Sequence, residues 1–266
     1  MLLLSGNFSM RLDGKVVIIT GASEGIGAAC AAEFAQAGCK LSLTARSEEN
    51  LRKAGGADAL VTAGDICEED TRQRLVSRTL ERFGTIDILI NNAGAGLYAP
   101  SWCAPMSEVR RMMELNFFAP MELTQLVVPV MCEKRSGMIV NVGSIGGKMT
   151  LPWMTLYSAS KFALGSWTDG LRMELMQNNI RTLLVCPGYV KTGFQQHSYL
   201  GAPPDRVLKG RRFAITPPQC ARAIRRGVER DARTIITPRP GWLLVLAARL
   251  FPGIVERRMA QMNETA

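Results

Sequence analysis

The chain contains one histidine, His197, in 266 residues. A Ser/His/Asp triad or a histidine-built metal site therefore has little to be assembled from, and no metal is expected. The seven cysteines, Cys30, Cys39, Cys67, Cys103, Cys132, Cys186 and Cys220, are odd in number and include no CxxC pair. That scatter argues against a disulfide framework or zinc site and points to a reducing, cytoplasmic setting. Repeats and low-complexity tracts are absent, and a 47% hydrophobic, 21% charged composition excludes disordered and fibrous classes. The opening MLLLSGNFSM starts apolar but has no basic leader, long apolar core or cleavage site, so it reads as a loosely packed arm. Net charge is +9, with the excess concentrated late in KGRR (209–212), RAIRRGVER (222–230) and ERR (256–258). No basic stripe interleaved with aromatics accompanies it, so solvated helix faces are expected rather than a nucleic-acid partner.

Apolar, β-branched segments alternate with helical patterns along the whole chain. The expected strands are KVVIIT (15–20), KLSLTAR (40–46), DALVTAG (58–64), IDILINN (86–92), GMIVNVG (137–143), IRTLLVC (180–186) and RTIITP (233–238). After Gly25, residues Ile26, Cys30, Phe34 and Ala37 recur at helical spacing up to Gly38, a natural C-terminal cap. Long helices are expected over 107–132 and 155–178. The expectation is an α/β domain spanning 1–266, with one doubly wound parallel sheet of about seven strands and helices on both faces. It carries an arm at 1–12, a lid at 195–215 rich in glycine, proline and basic residues, and an extension at 239–266.

Directly after the first strand comes TGASEGIG (20–27). Its glycines permit a tight turn, close backbone approach to a pyrophosphate, and close packing of helix on strand. Backbone amides at the helix N-terminus would face the anion. Glycine-rich turns also arise for steric reasons alone, but the placement inside a βαβ unit favours dinucleotide binding and a Rossmann-type sheet.

The GxxxGxG spacing, with Asp65 in GDI, NNAG (91–94), Asn116, Ser144, Tyr157xxxLys161, and Pro187-Gly188 followed by Thr192, resembles the short-chain dehydrogenase/reductase family over about residues 14–192. The resemblance implies an oxidoreductase working on the carbonyl/alcohol couple with a nicotinamide cofactor. It implies cofactor contacts from Gly21, Ser23, Glu24, Gly25, Ile26, Gly27, Arg46, Asp65, Ile66, Asn92, Ala93, Gly94, Tyr157, Lys161, Pro187, Gly188, Val190 and Thr192. Asp65 and Ile66 match the family's adenine contact and Asn92 to Gly94 its wall behind the adenosine, although such residues also make ordinary strand-end turns. It further implies a small-molecule substrate and a homo-oligomer, dimer or tetramer. At the end of the second strand stand Ala45 and Arg46, with no carboxylate at that strand end to repel a 2′-phosphate. NADP(H) is therefore favoured over NAD(H). Glu24 dissents, because many NADP-preferring relatives carry a basic residue there.

Tyr157 and Lys161 lie four residues apart, on one helix face. A phenol titrates near 10, and the ammonium together with a nicotinamide cation is expected to lower it, making Tyr157 a usable acid and base. Ser144 would hydrogen-bond the substrate oxygen. By resemblance, Lys161 also bonds the nicotinamide ribose and Asn116 completes a tetrad. Pro120 has no amide hydrogen for the carbonyl four residues back, so Asn116 O is expected to hold a water linking Lys161 to solvent; alternatively Pro120 only bends the helix.

Ligands of open α/β sheets bind outside the carboxyl ends of the strands. Leu97, Tyr98, Met149, Trp153, Met154, Tyr189 and Phe194 would line an apolar substrate cavity there. The extension carries an apolar run, 242–248, too short to span a bilayer. It reads first as a helix pair closing the pocket or packing at a subunit interface, then as a membrane-surface foot, then as core. The activity expected is NADP(H)-dependent carbonyl reduction or alcohol oxidation. Other readings are a catalytically silent dinucleotide sensor or scaffold, and an NAD-dependent alcohol dehydrogenase.

Overall fold

A computed structural model describes residues 10–200 and 214–261. Residues 1–9 of the expected arm and 201–213 of the expected lid, including the KGRR stretch, lie outside the described residues. All seven expected strands form, as β1 (Val16–Thr20), β2 (Lys40–Ala45), β3 (Leu60–Ala63), β4 (Ile88–Asn91), β5 (Gly137–Val142), β6 (Ile180–Pro187) and β7 (Thr234–Thr237). They pair in parallel in the order β3-β2-β1-β4-β5-β6-β7. Every residue of β1, β4 and β5 is buried, as continuous apolar runs in a doubly covered sheet should be.

Successive strand residues point to opposite faces, and two separate cores follow. Val17 and Ile19 pack with Cys30 and Phe34 of α1 (Gly25–Gln36), Leu51 of α2 (Glu48–Gly55), and Cys220 and Ile224 of the helix Pro217–Glu229. Ile18, Leu89 and Ile139 face the other way. They meet Leu75 of α3 (Glu69–Phe83) and, from later helices, Leu123, Val127 and Leu171. The chain leaves β1 toward one face and β4 toward the other, so a crevice opens between these neighbours at their carboxyl ends.

The expected helix over 107–132 forms, with one irregular turn inside it. It is realised as α4 (Met106–Met113), a π-helical turn (Glu114–Phe118) and α5 (Ala119–Glu133). The Ala119 N–H reaches back five residues to Glu114 O, and Pro120 then offers the ladder no donor at all. The helix widens there instead of simply bending. Asn116, at the centre of the wide turn, is completely buried. Downstream lie α6 (Thr155–Leu175), α7 (Pro217–Glu229), α8 (Gly241–Leu250) and α9 (Pro252–Ala260).

Candidate active site

At the carboxyl end of β1, Gly21 and Gly25 adopt φ of +62° and +55°. Gly27 is dictated by space: a Cβ there would stand 2.1 Å from the Gly21 carbonyl oxygen. The turn is pinned from β4. The Thr20 hydroxyl accepts from the amides of Asn92 and Ala93, each at 3.0 Å, and the Asn92 side-chain amide donates to the carbonyls of Thr20 (2.9 Å) and Gly21 (3.1 Å). Glu24 precedes α1 in extended backbone and makes no side-chain cap to it. The first-turn amides of α1 therefore point toward the crevice uncapped by any described side chain, which suits an anion.

The loop after β6 folds back over this turn. Gly188 N–H bonds Thr237 O at 2.8 Å, and Val190 bridges to Ile215. The Thr192 methyl lies 3.2 Å from where a Gly25 Cβ would be, and His197 Nδ1 meets Glu24 Oε1 at 2.8 Å. Farther on, Tyr199 N–H bonds Gly96 O at 2.8 Å, so this loop crosses the crevice from β6 to β4. Arg46 is exposed just past β2, while Asp65, past β3, accepts from Cys67 N–H at 3.0 Å. Ile66 is buried and its carbonyl accepts from the Arg72 guanidinium at 2.7 Å. Glu48 and Glu49 follow Arg46 closely, but each pairs with its own helix, Glu48 with Arg52 and Glu49 with Lys53, both at 2.6 Å.

Ser144 stands two residues beyond β5, caps the short 3-10 turn Ile145–Gly147 by accepting from Gly146 N–H at 3.0 Å, and hydrogen-bonds Tyr157. Tyr157 and Lys161 project from the first turns of α6 and are 6% and 4% exposed. The Lys161 ammonium lies 5.8 Å from the Tyr157 ring centroid and donates to Val142 O at 3.1 Å. Gly147 makes this approach feasible, because a Cβ there would sit 2.6 Å from Lys161 O. Asn116 Oδ1 accepts from Ala95 N–H at 2.9 Å, and its Nδ2 donates to Ala95 O and to Ser160 Oγ. Ser160 in turn donates to Tyr157 O at 2.7 Å. Asn116 thus ties the β4 loop to α6, and a Cβ on Gly94 would lie 3.1 Å from its Oδ1 and 3.3 Å from Lys161 Nζ.

The protein's own groups act on Tyr157 against the expected lowering, which draws on the nicotinamide cation as well. Burial pushes the phenol well above its ordinary value of 10, and the hydrogen bond with Ser144 opposes this only in part. Burial likewise pushes the Lys161 ammonium down to about 8. Desolvation disfavours whichever form is charged, and it is the largest cause of both shifts.

Leu97, Tyr98 and Met154 are buried with Tyr157 in one apolar cluster, and Trp153 and Phe194 pack against it. The Phe194 ring meets Tyr157 edge-on at 5.7 Å. Met149 is buried just past the 3-10 turn, its N–H on Ile145 O, and Tyr189 lines a cleft with Lys191, Thr192 and Gly193. Trp153 holds a φ of +60°, costly for a bulky residue, and its buried indole N–H has no partner among the described residues. The motif reading assigns nothing to Thr20, Gly147 or Ser160. Ser160 lies inside YSASK itself, and Thr20 opens the glycine turn, so their positions were open to view although their bonding was not.

The model of the short chain dehydrogenase family matches residues 15–201. The chain is 31% identical over 273 residues to the dehydrogenase/reductase SDR family protein 7-like of Anopheles gambiae, covering 96% of this chain and 86% of that one. It is 34% identical over 232 residues to the ketoacyl reductase HetN of Nostoc sp., covering 85% and 79%. A short-chain dehydrogenase/reductase from Burkholderia phymatum, solved in complex with NAD, superposes with a TM-score of 0.83 at 26% identity, over 94% of this chain and 96% of that one. With the parallel seven-stranded sheet, a family match over most of its length and relatives aligned nearly end to end, the chain is an oxidoreductase of the short-chain dehydrogenase/reductase family.

Proposed function

We propose that the chain transfers hydride between NADP(H) and a carbonyl or secondary alcohol on an apolar substrate, with Tyr157 as the proton donor and acceptor. The observation that carries this reading is the burial of Ser144, Tyr157 and Lys161 side by side, bonded to one another's surroundings at the carboxyl edge of the sheet. A dinucleotide fits the turn, where the Gly27 position leaves no room for a Cβ and the first amides of α1 face outward. When bound, the nicotinamide supplies or accepts the hydride. Gly21 to Gly27 would cradle the pyrophosphate, with Ser23 and Thr192 at its flanks. Asp65, Ile66 and Asn92 to Gly94 would bound the adenosine, and Pro187, Gly188 and Val190 the nicotinamide side.

Burial keeps Tyr157 protonated at neutral pH, the form that gives a proton to a carbonyl oxygen. Ser144 would share that oxygen and hold its developing charge. After donation, the phenolate is stabilised by the Lys161 ammonium, which at neutral pH is still largely protonated. Asn116 fixes Ala95 and α6 relative to each other, and its backbone beside Pro120 would seat the water that reconnects Lys161 to solvent. Tyr98, Met149, Trp153, Met154, Tyr189 and Phe194 would surround the substrate. Arg46 supports NADP(H), since it is exposed past β2 while Glu48 and Glu49 are turned to Arg52 and Lys53. Glu24 is held by His197 at 2.8 Å, on the side of the turn that carries Thr192. Exposed Leu126 on α5 and Phe162 and Met173 on α6 support self-association, and seven free thiols support a cytoplasmic setting.

Oxidation of NADPH and of NADH over a panel of ketones, aldehydes, quinones and steroids tests the reading. NADPH turnover is expected with at least one apolar carbonyl. Arg46→Ala should raise the KM for NADPH about tenfold or more and leave that for NADH unchanged, because a charge-assisted pair is lost. A preference for NADH, or equal loss with both, would remove the NADP(H) assignment.

A further inference from the structure

The two C-terminal helices, α8 and α9, show their apolar side chains to solvent. In α8 only Val245 is buried, against Leu184, Cys186 and Ile236, with Ile145 packed alongside. This contact roots the helix one residue from Ser144, and it corrects the expectation that the run could be core. Leu243 is 70% exposed, Leu250 61%, Phe251 58% and Ile254 69%; Trp242 and Leu246 are also exposed. At about 100° per residue, Trp242, Leu243, Leu246 and Leu250 fall within roughly a third of the helix circumference, beginning about 60° from the buried Val245 and running away from it. Arg249 borders that arc next to Trp242.

In α9, Ile254, Arg257 and Arg258 stand at i, i+3 and i+4 and therefore share one face. Glu256, the only carboxylate among residues 239–260, lies nearly opposite Ile254 on the helix, whereas Arg239, Arg249, Arg257 and Arg258 give that stretch its charge. An exposed apolar face edged by arginine and tryptophan, with its carboxylate turned away, is complementary to an anionic interface. Isologous pairing of two copies through this face would instead set one net positive stretch against another. A helix of ten residues is about half the length needed to cross the hydrocarbon core, so it would lie in the membrane plane.

We propose that α8 and α9 form a foot that docks this protein on the surface of an anionic lipid bilayer, with Trp242, Leu243, Leu246, Leu250, Phe251 and Ile254 in the headgroup–acyl boundary and Arg249, Arg257 and Arg258 on lipid phosphates. The foot stands at the carboxyl edge of the sheet beside Ile145, on the same side as the crevice.

Flotation of the purified full chain with vesicles rich in phosphatidylglycerol, and with vesicles of phosphatidylcholine alone, tests this directly. The chain is expected to float with the anionic vesicles, in a salt-sensitive way, and much less with the neutral ones. The variant Arg249→Gln/Arg257→Gln/Arg258→Gln, which changes only exposed charges, should bind the anionic vesicles on the order of a hundredfold more weakly. The variant Leu243→Ser/Leu246→Ser/Phe251→Ser should lose flotation while keeping its thermal midpoint; should it fail to fold, the arginine variant decides. Absence of flotation, or flotation that both variants retain, overturns the proposal. So does a sedimentation dimer that dissociates in the serine variant without any lipid binding, which would assign the face to a second copy.

Discussion

At Gly27 one methyl group is enough to oppose the turn. The Cβ of an alanine would stand 2.1 Å from Gly21 O, far inside contact distance, and the neighbour is backbone rather than a side chain that can swing away. Gly27→Ala is therefore expected to cost about 1–3 kcal/mol in stability and to weaken nucleotide binding at least about tenfold. Urea unfolding together with fluorescence titration of NADPH checks this; unchanged affinity would contradict the cradle. Residue types and spacings of this kind were legible in the sequence, as were the YSASK pair and Ser144. The direction in which Tyr157 is shifted was not. It depends on how completely Leu97, Tyr98, Met154 and Phe194 dry the phenol, and those residues come from three separate parts of the chain. Lys161 makes the same point testable. Its folded value, about 8, is below the ordinary 10.5, so between those limits the unfolded chain holds more protons. Stability should then rise with pH across that window, by up to about 1 kcal/mol per pH unit, and fall back as pH drops through 8. Lys161→Met should show a flatter profile when unfolding is compared near pH 7 and near pH 9.5, and identical profiles would mean that the ammonium is better solvated than its burial indicates.

Among the elements, the stretch from α4 to α5 carries the site's least obvious feature. Apolar periodicity runs through it without interruption, so it reads as one helix. Pro120 hints that the ladder changes there, and a proline alone does not distinguish a bend from a π turn. The wide turn brings Asn116 onto Ala95 and Ser160. Next to it a buried polar chain crosses the sheet. Thr124 donates to Pro120 O at 2.7 Å, Asn91 Nδ2 to Thr124 and to Asn141 Oδ1, and Asn141 Nδ2 to Thr168 at 2.8 Å. This chain holds α5, β4, β5 and α6 in one register. Asn141→Leu would leave the Asn91 amide short of an acceptor, and an expected loss of about 1–3 kcal/mol should appear in chemical unfolding. A loss below a few tenths would mean that the network is dispensable. The seven strands, by contrast, could be read directly, since β-branched runs buried on both faces admit few other structures.

For the molecule as a whole, the sheet order sets what meets what. The β1 turn, the β4 loop, Ser144 after β5 and the β6 loop all emerge at one edge, and contacts such as Glu24 with His197 or Tyr199 with Gly96 join residues more than 100 positions apart. No local pattern announces such pairings; they follow from the parallel order once the strands are placed. The same order carries α8 from the end of β7 to Ile145, which explains why an apolar segment outside the family motifs ends up beside the candidate site.

The central claim is that a buried phenol, flanked by Ser144 and Lys161, moves the proton while nucleotide binding is supplied elsewhere. Single-turnover oxidation of bound NADPH by Tyr157→Phe, measured beside the variant's NADPH affinity, tests it most directly. The account predicts affinity within about threefold of the parent and a rate lower by about a thousandfold or more. A variant that binds NADPH normally and still turns over at a rate near the parent's would contradict it.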